Sequence, residues 1–335
     1  MTLNRRDFIQ NITLTAGAAL LSAGGAFPAH ASPAEVAKAQ ARVLPQKSRQ
    51  VPGVYKTTVG TIEVTAILDG GMEFSHDLFP SVPKGGIEAA QKAAFQPEGP
   101  VKAYLNTFVI RDGKRTILVD TGGGAAMGDS VGRLQRNLSA ANIKPFEINE
   151  IYLTHGHIDH VSGLVDTSGH EMFAKAQIRI SEAELAFWYD DAMREKAPEG
   201  KKGLFAAARK ALDPYKNKLR IETFKPSADL GGGITVVDLP GHTPGHSGFR
   251  ISQGSEQLLI WGDIIHAPVL QFANPDWSIA FDTDAAMAEK TRSKILAEVA
   301  ADRVRIAGMH HVFPAFGHVA KAAKGYDFVP QIWEL

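Results

Sequence analysis

The chain has 335 residues, 44% of them hydrophobic and 21% charged, with 36 basic and 36 acidic side chains, a globular composition whose zero net charge argues against a nucleic-acid partner. It contains no cysteine, which removes disulfides, thiolate ligands and cysteine nucleophiles together, so any metal must be held by imidazole and carboxylate.

Residues 1–31 start basic (MTLNRRDFIQ), continue through the moderately apolar ITLTAGAALLSAGGAF and end on Ala29-His30-Ala31, a small-x-small cleavage pattern. This predicts a secretory signal peptide. Arg5-Arg6 followed by Phe8 resembles a twin-arginine signal, whose pathway exports proteins already folded. No later stretch approaches the roughly 18 unbroken apolar residues of a spanning helix, so the mature protein is expected in the periplasm or medium without stable membrane insertion. Residues 32–52 are polar without a sustained period and read as a linker or arm.

From residue 53 the pattern is that of one folded domain. VYKTTVG, TIEVTAILDGG, YLNTFVIRDG and RTILVDTGGG read as strands, the last two joined at Asp112-Gly113, a hairpin signal. VGRLQRNLSAA predicts a helix with Leu134 and Leu138 on one face, and EIYLT a further strand. SEAELAFWYDDAMREKA predicts a helix opened by a Ser181-x-x-Glu184 capping box, followed by a helical GLFAAARKAL. GITVVDL, GFRISQ and QLLIWGD return to strand, DAAMAEKTRSKILAEVAAD is helical, and RVRIAGM reads as the final strand. Two β-rich halves, each followed by helices, predict an α/β domain of two sheets with helices outside.

Chemistry concentrates at strand ends. LTHGHIDH places His155, His157, Asp159 and His160 in six positions of a chain with only 12 histidines. GHTPGH, GDIIH and MHHVFP, each after an apolar run, add His242, Asp263 and His310. His155 and His157 can face one ion if the backbone stays extended, whereas Asp159 and His160, past a turn, face elsewhere. A hydrolytic zinc takes about three protein ligands and keeps an open position, and paired ions lie about 3.5 to 4 Å apart. Counting then assigns His155, His157 and His242 to one ion and Asp159, His160 and His310 to the other, with Asp263 bridging. His246 is a candidate supporting partner; His266, His311 and His318 read as supporting or core residues. Zinc fits best, though a histidine and aspartate set also accepts manganese, iron or cobalt.

The H-x-H-x-D-H run at 155–160, with GHT at 241, GD at 262 and His310, resembles the metallo-β-lactamase superfamily, and Asp120-Thr121-Gly122 matches its buried DTG element. Within that family, TGGGAAMGDSVGRL, HTPGH, GDIIHAPVLQF and FPAFGH…KGYDFVP are most similar to the branch of methyl parathion hydrolases and lactonases. The resemblance covers residues 53–335. It implies a four-layer αβ/βα sandwich, two metal ions at one edge, Asp120 behind the ligands, and compatibility with a homodimer.

It also implies hydrolysis of a small ester-like substrate, a lactone or a phosphotriester, by a metal-bridging hydroxide that Asp159 and Asp263 position. The redox members carry Glu where this chain has His157, the cysteine-ligand β-lactamases need a residue it lacks, and another β-lactamase class lacks the bridging Asp. A β-lactam hydrolase or a non-catalytic metal-binding protein of the same fold are the alternatives. The family's substrate pocket falls on Phe187, Trp188, Phe205 and Phe272, with Met127 and Leu204 where the organophosphate-degrading relative carries phenylalanines. That departure shifts the expectation towards lactones.

Overall fold

A computed structural model describes residues 50–333, and from Pro52 onward the chain forms one compact unit. The expected signal peptide and most of the expected linker lie outside the described residues.

Seven strands form the first sheet in sequence order: β1 (Val54–Val59), β2 (Ile62–Phe74), β3 (Val101–Arg111), β4 (Thr116–Val119), β5 (Glu150–Tyr152), β6 (Gln177–Ser181) and β7 (Ile221–Phe224). Pairing is antiparallel from β1 to β4 and parallel from β4 to β7. The second sheet runs β8 (Ile234–Asp238), β9 (Ser247–Gln253), β10 (Glu256–Ile260), β11 (Arg305–Ala307), β12 (Phe316–Lys321) and β13 (Tyr326–Pro330), with β10 and β11 parallel and the other neighbours antiparallel. RVRIAGM is therefore not the last strand. β12 and β13 follow it, and β6 and β7 complete the first sheet; all four are short and lack an uninterrupted apolar run.

The helices are α1 (Gly86–Ala93), α2 (Leu134–Ala140), α3 (Ile158–Val161), α4 (Glu182–Tyr189), α5 (Asp191–Lys196), α6 (Glu199–Lys216), α7 (Pro268–Gln271) and α8 (Ala285–Ala301). Side chains alternate across a strand, and β3 shows the result. Phe108 and Ile110 enter the core between the sheets, where they meet Phe249, Ile260 and Phe316, while Val109 enters the core under the outer helices. That outer core joins Leu118, Ile151 and Ile178 to Leu138 of α2 and Leu212 of α6. On the other side, Leu259 and Ile306 pack against Ile295, Leu296 and Val299 of α8. The layers are helix, sheet, sheet, helix, the four-layer sandwich expected from the sequence.

The turn between β3 and β4 is fixed by Asp112, whose Oδ1 accepts from the backbone N–H groups of Lys114 (3.0 Å) and Arg115 (2.7 Å). Arg115 then donates to the carbonyls of Leu230 and Gly231, tying the hairpin to the segment that enters β8. Strands β5, β8, β10 and β11 end at Tyr152, Asp238, Ile260 and Ala307, just before the segments that carry the candidate ligands.

Candidate metal centre

The candidate ligands leave the strands on short loops. After β5 a short loop leads to His157, itself extended with φ −68° and ψ 156°, and the chain then turns into α3, which carries Asp159 and His160. This change of backbone separates two ligand groups within six residues.

His155, His157 and His242 converge. His155 Nε2 lies 3.0 Å from His157 Nδ1, which lies 2.9 Å from His242 Nε2, and His242 Nε2 is 3.2 Å from His155 Nε2. Those separations approach the roughly 3.3 Å ligand spacing of a tetrahedral ion with nitrogens 2.0 to 2.1 Å away. His242 Nδ1 faces Asp282 Oδ1 at 2.9 Å, so its proton is engaged there and Nε2 presents a lone pair to the trio.

Asp159, His160, Asp263 and His310 form a second group, and His242, Asp263 and His266 a third. Asp263 stands between them: Oδ1 is 3.2 Å from His160 Nε2, and Oδ2 is 3.3 Å from His242 Nε2 and 3.2 Å from His310 Nε2. Asp159 Oδ2 lies 3.5 Å from His160 Nε2 and 3.6 Å from His310 Nε2. His266, expected from the sequence to be a supporting or core residue, stands against the cluster, with Nε2 3.2 Å from Asp263 Oδ2. His160 Nε2, Asp263 Oδ1 and both ring nitrogens of His266 are buried without a hydrogen-bond partner. Orphaned polar atoms of this kind are costly in a protein interior unless a cation or water completes them, so the donor set fits divalent metal.

Supporting contacts fix the ligands. Asp120 takes a left-handed φ of 56°, a conformation that must be held from outside. It is held: Oδ1 accepts from Thr154 N at 2.8 Å, and Oδ2 accepts from Thr154 Oγ1 and faces His160 Nδ1, both at 2.7 Å. His246 Nδ1 donates to the Leu239 carbonyl at 2.8 Å, and its Nε2 accepts from Asp263 N at 2.9 Å. Burial and the neighbouring His242 push His246 down to about 3, so it stays neutral and keeps that tautomer. Burial opposes ionisation of Asp263, but the surrounding imidazoles, His160 first, hold its carboxyl well below the usual range. Burial likewise opposes a charge on His160, which Asp263, Asp159 and Asp120 together raise well above an ordinary histidine.

Three supports escaped the sequence reading. Asp282 lies in a loop without a motif. Asn106, on β3, donates from Nδ2 to the carbonyls of Met309 (3.0 Å) and His311 (2.7 Å), bracketing His310. Glu184 does not form the expected capping box: Ser181 makes no side-chain cap bond, and the Glu184 carboxylate turns inward to the site loops.

A cavity of about 390 Å³ opens over the ligands, walled by Met72, Phe74, Met127, Ile158, Leu204 and Phe281. A second lobe of about 240 Å³, lined by Phe187, Trp188 and Phe205, shares His157, Lys201, Leu204 and Phe281 with the first. A larger cavity of about 460 Å³ beside Asp69 and Gln135 touches no ligand. Phe272, expected in the pocket, lies elsewhere. The turn through α7 carries it into the core beyond the second sheet, where it stacks on Phe328 at 5.5 Å and packs with Trp261. His311 lies in the same aromatic core, and His318 is exposed on β12.

Solved structures resemble this chain over most of its length. A hydrolase of the beta lactamase superfamily, AbOPH, is 33% identical with a TM-score of 0.81, covering 86% of this chain and 100% of its own. AidC, a dizinc quorum-quenching lactonase in complex with an acyl-homoserine product, is 26% identical with a TM-score of 0.80 and the same coverage. A protein of Mycobacterium tuberculosis described as a probable metallo-hydrolase is 26% identical over 138 residues, which span 39% of this chain and 41% of the relative. The chain belongs to the metallo-beta-lactamase superfamily, which it matches over residues 103–310, a stretch carrying every member of the trio and the four-residue group.

Proposed function

We propose that the protein is a dinuclear metal-dependent hydrolase of small ester-like substrates, a lactonase first and a phosphotriesterase as a side activity. The observation that carries this reading is the position of Asp263 between the histidine trio and the four-residue group, at the base of an apolar cavity. The similarity to a dizinc lactonase supports it.

His155, His157 and His242 would hold one ion, Asp159, His160 and His310 the other, and Asp263 would serve both. Divalent ions bound there supply Lewis acidity and a water whose pKa is lowered towards 7. Asp159, the most exposed of the candidate ligands, lines the cavity and can take and return the proton of the attacking water. Phe74, Met127, Leu204 and Phe281 exclude bulk water and seat an apolar acyl group over the ligands. His266, whose Nε2 stands 3.2 Å from Asp263 Oδ2 and whose Nδ1 makes no hydrogen bond, lines the same cavity and can hydrogen-bond a substrate oxygen. Export by the twin-arginine route is part of the proposal; Arg5→Lys with Arg6→Lys should trap the precursor in the cytoplasm, and normal export of that variant would reject the route.

The deciding experiment compares initial rates on an acyl-homoserine lactone, methyl parathion and a cephalosporin, with metal content measured on the same sample. Fast lactone turnover with two ions per chain is expected. Two bound ions with no turnover of any substrate would overturn the substrate assignment, and a fully active protein with one ion would overturn the dinuclear reading.

A further inference from the structure

The histidine trio arrives on two loops distant in sequence. His155 and His157 flank Gly156, and His242 precedes Thr243. Both loops close on Glu184, whose side chain is fully buried. Its Oε1 accepts from Gly156 N at 2.9 Å and Trp188 Nε1 at 2.6 Å. Its Oε2 accepts from Thr243 Oγ1 at 2.7 Å and Gly245 N at 3.0 Å. A buried carboxylate is costly unless its oxygens are satisfied, and four donors satisfy this one. The approach is too close for other residue types: a Cβ on Gly156 would lie 2.3 Å from Trp188 Nε1, and one on Gly245 would lie 2.3 Å from Glu184 N. Trp188, bound by the same carboxylate, sets its ring edge-on to His157 with centroids 5.5 Å apart.

None of these four bonds reaches the other ligand group. There, Asp120 faces His160, the Tyr104 carbonyl faces His310 at 2.8 Å, and His246 holds the backbone of Asp263.

We propose that Glu184 is a positioning residue for one ion of the pair, the ion held by His155, His157 and His242, and that the other ion is supported independently of it. The inference rests on the two-ion reading given above. Glu184 touches neither ion nor substrate. It fixes the relative position of two loops whose three ring nitrogens must stay within 3.2 Å of one another to share a ligand. In Glu184→Gln the amide N–H₂ must face either the Gly156 and Trp188 N–H groups or the Gly245 N–H, and only the Thr243 hydroxyl can reverse to accept, so at least one loop loses a backbone N–H bond.

The test titrates the metal-stripped full chain with Zn²⁺ against a chromophoric chelator. The parent chain should show two ions. Glu184→Gln should leave one affinity unchanged and weaken the other roughly 10- to 100-fold, the range for loss of a residue that orients ligands. Trp188→Phe, which removes one of the four bonds and keeps a ring, should weaken the same ion by less while remaining folded. Unchanged affinities in Glu184→Gln would overturn the proposal, as would a parallel loss of both ions. If the parent chain binds a single ion, the two-ion reading fails by itself. The role of Glu184 is then judged on that ion: weakening in Glu184→Gln upholds it, and an unchanged affinity overturns it.

Discussion

Asp282 lies 40 positions after His242, and its Oδ1 stands 2.9 Å from His242 Nδ1 in a fully buried contact. This carboxylate fixes both the tautomer and the ring angle of a ligand that the sequence places in a different motif. Burial opposes its ionisation, but the hydrogen bond from His242 holds Asp282 below the usual carboxylate range. Replacing it by Ala should free the imidazole to rotate and weaken the trio ion about 10- to 100-fold. Metal titration checks this, and unchanged affinity would show that packing alone orients His242.

Asp263 has five imidazoles within 3.6 Å: His155, His160, His242, His266 and His310. Asp263→Ala leaves them facing one another without the carboxylate between them. Bound metal should fall from two ions to at most one, and turnover should drop by more than the roughly 100-fold upper range for a supporting residue. Elemental analysis and initial rates on one sample decide it; near-normal activity would sink the dinuclear assignment.

Leu204 lines both the 390 Å³ cavity and the 240 Å³ lobe. Each acyl CH₂ buried there contributes about 0.8 kcal/mol, so kcat/KM for lactones should rise about fourfold per carbon until the space is filled. Leu204→Trp should abolish this increase while leaving metal content unchanged. A chain-length profile identical to that of the parent would place the acyl group elsewhere.

Asp112 contributes a pH-dependent increment of stability. Burial opposes its ionisation, but the N–H groups of Arg115 and Lys114 and the Arg115 guanidinium outweigh it and lower its pKa. A depressed carboxylate adds stability above its unfolded pKa of about 3.9, and that stability disappears as pH falls through the lower folded value. Asp112→Asn should therefore reduce stability by about 1 kcal/mol near pH 7, a value held down by solvent screening of this partly open site. The difference should shrink below about pH 4. Thermal unfolding of both proteins across pH 3 to 7 tests it; a pH-independent difference would assign the effect to the turn rather than the charge.

The sequence carried the ligand cluster because each member follows directly on an apolar strand. A strand's end fixes where the next residues start, and the two-residue spacing of His155 and His157 followed by the turn before Asp159 separates the groups through local backbone geometry alone. The two-sheet architecture was legible for the same reason, since strands such as β4, with Ile117, Leu118 and Val119 all buried, read as continuous apolar runs. Short strands without that signal, β6, β7, β12 and β13, were not.

Glu184, Asp282, His266 and Phe272 mark what only the tertiary structure decided. Ser181-x-x-Glu184 satisfies the local rule for a helix cap, but the fold brings Gly156, Thr243 and Gly245 within reach, and four buried donors outcompete one helix end. Asp282 meets His242 because the loop before α8 folds back over the GHTPGH segment, with Thr283 N and Asp284 N donating to the carbonyls of His242 and Gly241. Phe272 and His266 leave the same loop after β10, yet α7 turns one into the aromatic core and leaves the other facing Asp263. Local sequence therefore determined which residues could bind metal. Which carboxylates hold those residues still, and which aromatics face the cavity, depended on contacts between distant segments that exist only once the two sheets have packed.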